Sequence, residues 1–252
     1  MGGFTDLKPQ TVDIWISTGY GFNMFVLTID QKGSRGGRDR VPELLELLRG
    51  VPMDRAFERS VGDEIQGITA DAGTAVEAAL LALRNGHWSV GIGVGAVDTP
   101  LPATTREASG PAFFAAREAV DRAKKTGDRP PLAVAGSPGA AEAEAVLVLI
   151  GRLIRDRSAE QWRILDQVEP GIWGAQSAAA RRLGISPQSV GKTTARAGWQ
   201  EEWAARPAAA VLLSRADDLA TGGPEPDGQD PATPDAAGAE PGTAAAVPGE
   251  RA

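Results

Sequence analysis

Apolar residues run unbroken from Met24 to Leu27 and resume at Ile29 before Asp30 closes the run, which is the length and composition of a buried strand. Downstream, Val41, Leu44, Leu45, Leu47 and Leu48 recur at helical spacing, with Pro42 in the first turn, where its missing N–H costs little. Phe57 to Thr69 reads as two half-buried strand patterns meeting at the turn dipeptide Gly62-Asp63, so a hairpin is expected. A second helix is predicted over Ala72 to Arg84, stopped by Asn85-Gly86, and then a strand over Trp88 to Val97. In that strand Gly91, Gly93 and Gly95 alternate with Val90, Ile92, Val94 and Ala96, and interior glycines predict close approach of another backbone or of a ligand. Ser109 to Lys125, Pro131 to Ala135 and Gly139 to Arg155 continue as helix, strand and helix. The order of strands and helices suits an α+β sandwich of the ferredoxin-like kind.

Beyond Arg157 the strand pattern stops. Helices are expected over Ala159 to Val168, Ala175 to Leu183 and Pro187 to Arg206, with one more over Ala208 to Leu219. Between the second and third, Leu183-Gly184 leads into Ile185 and then into Ser186-Pro187, an N-cap followed by a first-turn proline. This is a helix-turn-helix pattern. Residues 1–23 are punctuated by Lys8-Pro9-Gln10 and Gly19-Tyr20-Gly21, and only Val12 to Ile16 offers a short strand. They read as a poorly structured extension, with Met24 an alternative start. Thr221 to Ala252 is Pro, Gly, Ala and acid with almost no bulky apolar residue, the composition of a disordered tail. The expected division is therefore 24–156, 157–220 and 221–252.

Composition narrows the chemistry. There is no cysteine and one histidine, His87, which removes disulfide frameworks, cysteine nucleophiles and multi-histidine metal sites. No run of about 18 apolar residues is present and the N-terminus lacks a basic-then-apolar leader, so the expectation is a cytoplasmic protein without a membrane partner. The net charge of -7 is unevenly spread: residues 1–151 carry -4, residues 152–215 carry +4 and residues 216–252 carry -7. A basic helical segment between acidic regions points to a nucleic-acid-binding module.

Two sets of residues carry candidate chemistry. Asp30 at a strand end and Asp63 at the hairpin tip are the carboxylates that a divalent metal with a triphosphate would need, since Mg²⁺ takes oxygen ligands. Glu64 follows directly and is expected on the opposite face, as a solvated or supporting residue. On the second helix of the helix-turn-helix, Gln188, Ser189, Lys192, Thr193 and Arg196 occupy the first turns, while Arg181 and Arg182 close the helix before it. In such modules these positions meet bases and phosphates of double-stranded DNA. The competing reading is a helical hairpin for protein contact or dimerisation, with Trp199 and Trp203 as core. A homodimer is compatible with either. Gly191-Lys192-Thr193 matches the end of a P-loop, but its first glycine would fall at Ser186 and the stretch follows a helix, so that motif is excluded. The Gly91 to Gly95 repeat likewise lacks the third glycine and helix start of a dinucleotide fingerprint.

Four segments between Met24 and Lys125 resemble the SatD family: Val26 to Arg35, Gly62 to Gly67, Val90 to Gly95 and Gly110 to Ala119. The helix-turn-helix fits that family as well. More remotely, the first three are similar to class III nucleotidyl cyclase and GGDEF domains. That resemblance implies Asp30 and Asp63 as ligands of Mg²⁺ or Mn²⁺, and Asp30, Gly62, Asp63 and Arg117 around a nucleotide. Val61 stands where the GGDEF signature has its first glycine, and Ile65 where it has phenylalanine. The implied function is a DNA-binding regulator whose cyclase-like domain senses a nucleotide or metal without catalysis. The alternatives are a metal-dependent nucleotidyl cyclase and a protein-binding adaptor.

Overall fold

The computed structural model describes residues 22–34 and 36–220. The predicted strand at Val12 to Ile16 and the predicted tail from Thr221 lie outside the described residues. The first part of the chain runs β1 (Phe22–Gln31), α1 (Val41–Leu48), β2 (Arg55–Arg59), β3 (Glu64–Thr69), α2 (Ala72–Asn85), β4 (Trp88–Val97), a 3₁₀ turn (Thr105–Glu107), α3 (Pro111–Ala123), β5 (Leu132–Ala135) and α4 (Ala140–Arg155). Helices alone follow: α5 (Ala159–Leu165), α6 (Ala175–Leu183), α7 (Pro187–Arg196) and α8 (Trp199–Ala220). The fold is α+β, a five-stranded mixed sheet followed by a helical region.

The strands lie in the order β2-β3-β1-β4-β5, antiparallel except for the parallel pair β4–β5. Because side chains alternate across a strand, β1 serves two cores. Phe25, Leu27 and Ile29 join Ile65, Val90, Ile92 and Val94 in the larger one, covered by α1, α2, α4 and the second half of α8. Met24 and Val26 join Ile68, Val97, Ala112 and Ala116 on the opposite face, beneath α3. The β4 glycines serve that second face. A Cβ at Gly93 would lie 2.1 Å from the Ala112 oxygen and 2.4 Å from the Ala116 nitrogen, and one at Gly91 would lie 2.3 Å from the Val120 nitrogen. The close approach expected from the glycine repeat is therefore that of α3, whose alanines let its backbone lie against the strand.

Several boundaries shift by one to three residues, α5 for example ending at Leu165 rather than Val168, and three differences change the architecture. β1 begins at Phe22, paired with Val97, so Phe22 and Asn23 belong to the sheet rather than to an extension. The helix expected to run from Pro187 to Arg206 ends at Arg196, because Gly198 takes a left-handed conformation (φ 58°) that stops it. One helix then continues through Pro207 to Ala220, which merges two predicted segments; the proline removes one internal hydrogen bond without ending the helix. Across the expected 156/157 boundary, Ala209, Leu213 and Ala216 of α8 are fully buried in the sheet's larger core. Ser137 Oγ and Asn23 Nδ2 donate to the Ala216 and Asp217 carbonyls at 2.5 and 2.8 Å, which ties this end of α8 to the sheet.

A buried ionic joint holds the helical unit at the other end of α8. Arg157 and Glu202 are both buried and paired, and Glu202 also accepts from Arg206. Arg157 Nε donates to the Ala197 carbonyl at 3.0 Å, and its guanidinium lies 4.7 Å from the Trp162 ring and 5.4 Å from that of Trp199. Leu165, Ala179, Ala180, Val190 and Trp199 form the separate core of this unit. Trp199 and Trp203 pack edge to face at 5.6 Å, as their four-residue spacing predicts. No described helix is long and apolar enough to cross a membrane.

Candidate functional site

Antiparallel register sets Asp30 at the end of β1 opposite Glu64 at the start of β3. Glu64, expected to be solvated, is instead only 3% exposed. Strand alternation does turn it away from Asp63, but the face it reaches is the one covered by α3. There Arg117 clasps the carboxylate with nitrogens 2.9 Å from Oε1 and 2.8 Å from Oε2, and Ser60 Oγ donates at 2.7 Å. Burial nevertheless dominates and raises the Glu64 pKa above its ordinary value, against the lowering by Ser60 and Arg117. Seven residues further on, at the C-cap of α3, Lys124 Nζ lies 2.9 Å from Asp30 Oδ2 and 3.4 Å from Asp121. Burial at Lys124 opposes its charge, but Asp30 and Asp121 outweigh it and raise its pKa. Each carboxylate on this face therefore has its own cation from one helix.

Asp63 stands one residue outside this pairing, partly exposed in the turn where Gly62 adopts φ 60°. Its carbonyl accepts from the Gln31 amide at 3.3 Å, and among the described residues its carboxylate forms no hydrogen bond or ion pair. Among those residues no group of three or more His, Cys, Asp and Glu is arranged to hold a metal. The structure thus brings Asp30 together with Glu64, and Arg117 with Glu64. The signal for this was available in the sequence: Arg117 and Lys124 are seven residues apart on one helix, and so share a face.

The residues of the predicted helix-turn-helix lie differently. Gly184 caps α6 in a left-handed conformation (φ 68°), Ile185 packs on the local core, and Ser186 accepts from the Ser189 amide at 3.1 Å to start α7 at Pro187. Val190, Thr194 and Ala197 are buried, and Gln176 of α6 donates across to Thr194 at 3.3 Å. On the opposite side, Gln188, Lys192 and Arg196 are all exposed and recur every four residues along one stripe. Thr193 is half-buried beside it, and the Ser189 hydroxyl lies 2.9 Å from Ser186 Oγ within the cap. Arg181 is exposed. Arg182 is exposed as well but is committed to Gln167, donating to its side-chain oxygen at 3.1 Å and to its carbonyl. From Pro170 to Gln200 the chain has no Asp or Glu, and among the described residues Arg181, Lys192 and Arg196 have no ion-pair partner.

One exposed feature of this unit escaped the sequence reading. In the loop before α6, Ile172 is exposed and Trp173 is 99% exposed. A tryptophan carries no local signal that separates a core position from a tip. Comparison with protein-family models, curated proteins and solved structures gives no match for this chain.

Proposed function

We propose that this protein binds double-stranded DNA through α6 and α7, with α7 entering the major groove. The observation that carries this reading is the stripe of Gln188, Lys192 and Arg196, exposed and free of carboxylates, on a helix that follows a three-residue turn. In this reading Lys192, Arg196 and Arg181 contact phosphate or guanine, and Gln188 faces adenine. Thr193 and Ser189 flank the stripe, and Arg182 ties α6 to Gln167 in the loop that follows α5.

The sheet unit is read as a SatD-like regulatory domain. Its antiparallel order β2-β3-β1-β4, with β1 between β3 and β4, is the order that a ferredoxin-like split βαβ core requires, and this supports the cyclase-like reading of its ancestry. A catalytic role is not favoured. A nucleotidyl cyclase using Asp30 and Asp63 with Mg²⁺ or Mn²⁺ would need Lys124 to leave Asp30, because an ammonium at 2.9 Å occupies the position of a cation. Titration of a labelled duplex at low salt, beside incubation with each nucleoside triphosphate and Mg²⁺ or Mn²⁺, tests both. A duplex shift without cyclic product is the expected result. Product that is lost in Asp30→Asn, with no duplex shift, would reverse the assignment.

A further inference from the structure

Where β1 ends, a cleft of about 440 Å³ opens between the C-terminal ends of α3 and α4. Asp30, Lys32, Lys124, Arg129 and Arg155 line it, four cations to one carboxylate. Two of the cations are already satisfied: Lys124 by Asp30 and Asp121, and Arg129 by Glu144 at 2.7 Å. The other two have no carboxylate partner among the described residues. Arg155 ends α4 and donates to the Arg129 carbonyl at 3.1 Å, so one of its nitrogens is held by the loop between α3 and β5. Lys32 has no such partner, and its backbone is held in position by a 2.8 Å bond from its amide to the His87 carbonyl. Lys32 is exposed as a residue, yet burial around its ammonium, then the charge of Arg155, lower its pKa below the ordinary lysine value. Two like charges held around one recess cost free energy that a multivalent anion would remove.

We propose that this cleft binds a phosphoryl group of a small soluble phosphorylated ligand, held chiefly by Lys32 and Arg155. Tetrahedral phosphate oxygens suit both donors, a point-like ammonium and a planar guanidinium fork, and the volume lies within the range of small-ligand sites. The site is separate from α7 and stands whether or not α7 binds DNA.

Pyrophosphate is the probe, titrated calorimetrically into the full chain at an ionic strength fixed with KCl. One-to-one binding is expected, weakened about 10-fold by Lys32→Gln or by Arg155→Gln and retained in Lys32→Arg. Lys32→Gln alone should also unfold at an equal or higher temperature than wild type, because it removes a repulsion, so lost binding is not lost folding. A nucleoside triphosphate that competes with pyrophosphate identifies a nucleotide as the source of the phosphoryl group; one that does not compete identifies a free diphosphate. Heats reproduced by KCl alone, binding unchanged in the Lys32→Gln, Arg155→Gln double variant, or binding lost instead in Lys192→Ala with Arg196→Ala would each overturn the proposal.

Discussion

The cations of α3 and its C-cap, Arg117 and Lys124, and those of α7, Lys192 and Arg196, each share one helix face and are used in opposite ways. On α3, Arg117 and Lys124 point at carboxylates presented by the sheet, and each closes a pair. On α7, Lys192 and Arg196 face solvent in a stretch without a single acid. A charge that is already paired stabilises little and recognises little, because a partner must first displace its neighbour. An unpaired stripe keeps its field available to a polyanion. Charge counts by segment hint at this division, but only the pairing separates internal cations from those that can face a partner.

The joint between the regions should show the largest effect. Glu202→Ala would leave Arg157 buried without its carboxylate, with an expected loss of about 3–5 kcal/mol in denaturant unfolding. Replacing both partners, Arg157→Met with Glu202→Leu, should recover most of that loss. Recovery would show that the joint fixes geometry more than it adds stability.

Next comes the contact that lets α3 reach the sheet carboxylates at all. Gly93→Ala sets a methyl within 2.1 Å of backbone and should cost up to about 3 kcal/mol, measured the same way. A cost near zero would mean that α3 is not held against β4 as described.

The α3 pairs themselves should matter less. Asp30→Asn leaves Lys124, a partly exposed ammonium, with Asp121 alone, and should change stability by less than about 1 kcal/mol. For Glu64 the sign follows from its raised pKa, which already includes the attraction of Arg117. The folded state favours the protonated acid, so its contribution is full below the ordinary value of 4.5 and is lost as pH rises through the folded value. Glu64→Gln should therefore match wild type in thermal midpoint at pH 4 and exceed it slightly at pH 7.5. The reverse order at pH 7.5 would show that the ion pair with Arg117 outweighs burial.

Much of this was legible in the chain. Periodicity located β4, α1 and α6 to the residue, since each is bounded by strong signals such as Asn85-Gly86 or Leu183-Gly184. It misjudged α7 and α8 because Pro207 looked like a stop and Gly198 did not, whereas the left-handed turn at Gly198 is what the corner onto Trp199 requires. The carboxylate site was half visible. Asp30 stood out at the end of an apolar run, but that Glu64 lies opposite it was not legible, because register across β1 and β3 is a property of the pair and not of either strand. The cleft at Lys32 could not be read at all, since it joins the ends of β1, α3 and α4 from more than a hundred residues of chain.

The most direct test of the division between paired and free cations is the salt dependence of duplex binding, measured for wild type, for Lys192→Ala with Arg196→Ala, and for Arg117→Ala with Lys124→Ala. Loss of the α7 pair should weaken binding and reduce the slope of log K against log salt by about 2, while the α3 variant keeps the wild-type slope. Equal slopes for wild type and the α7 variant, or a flattened slope in the α3 variant alone, would contradict it.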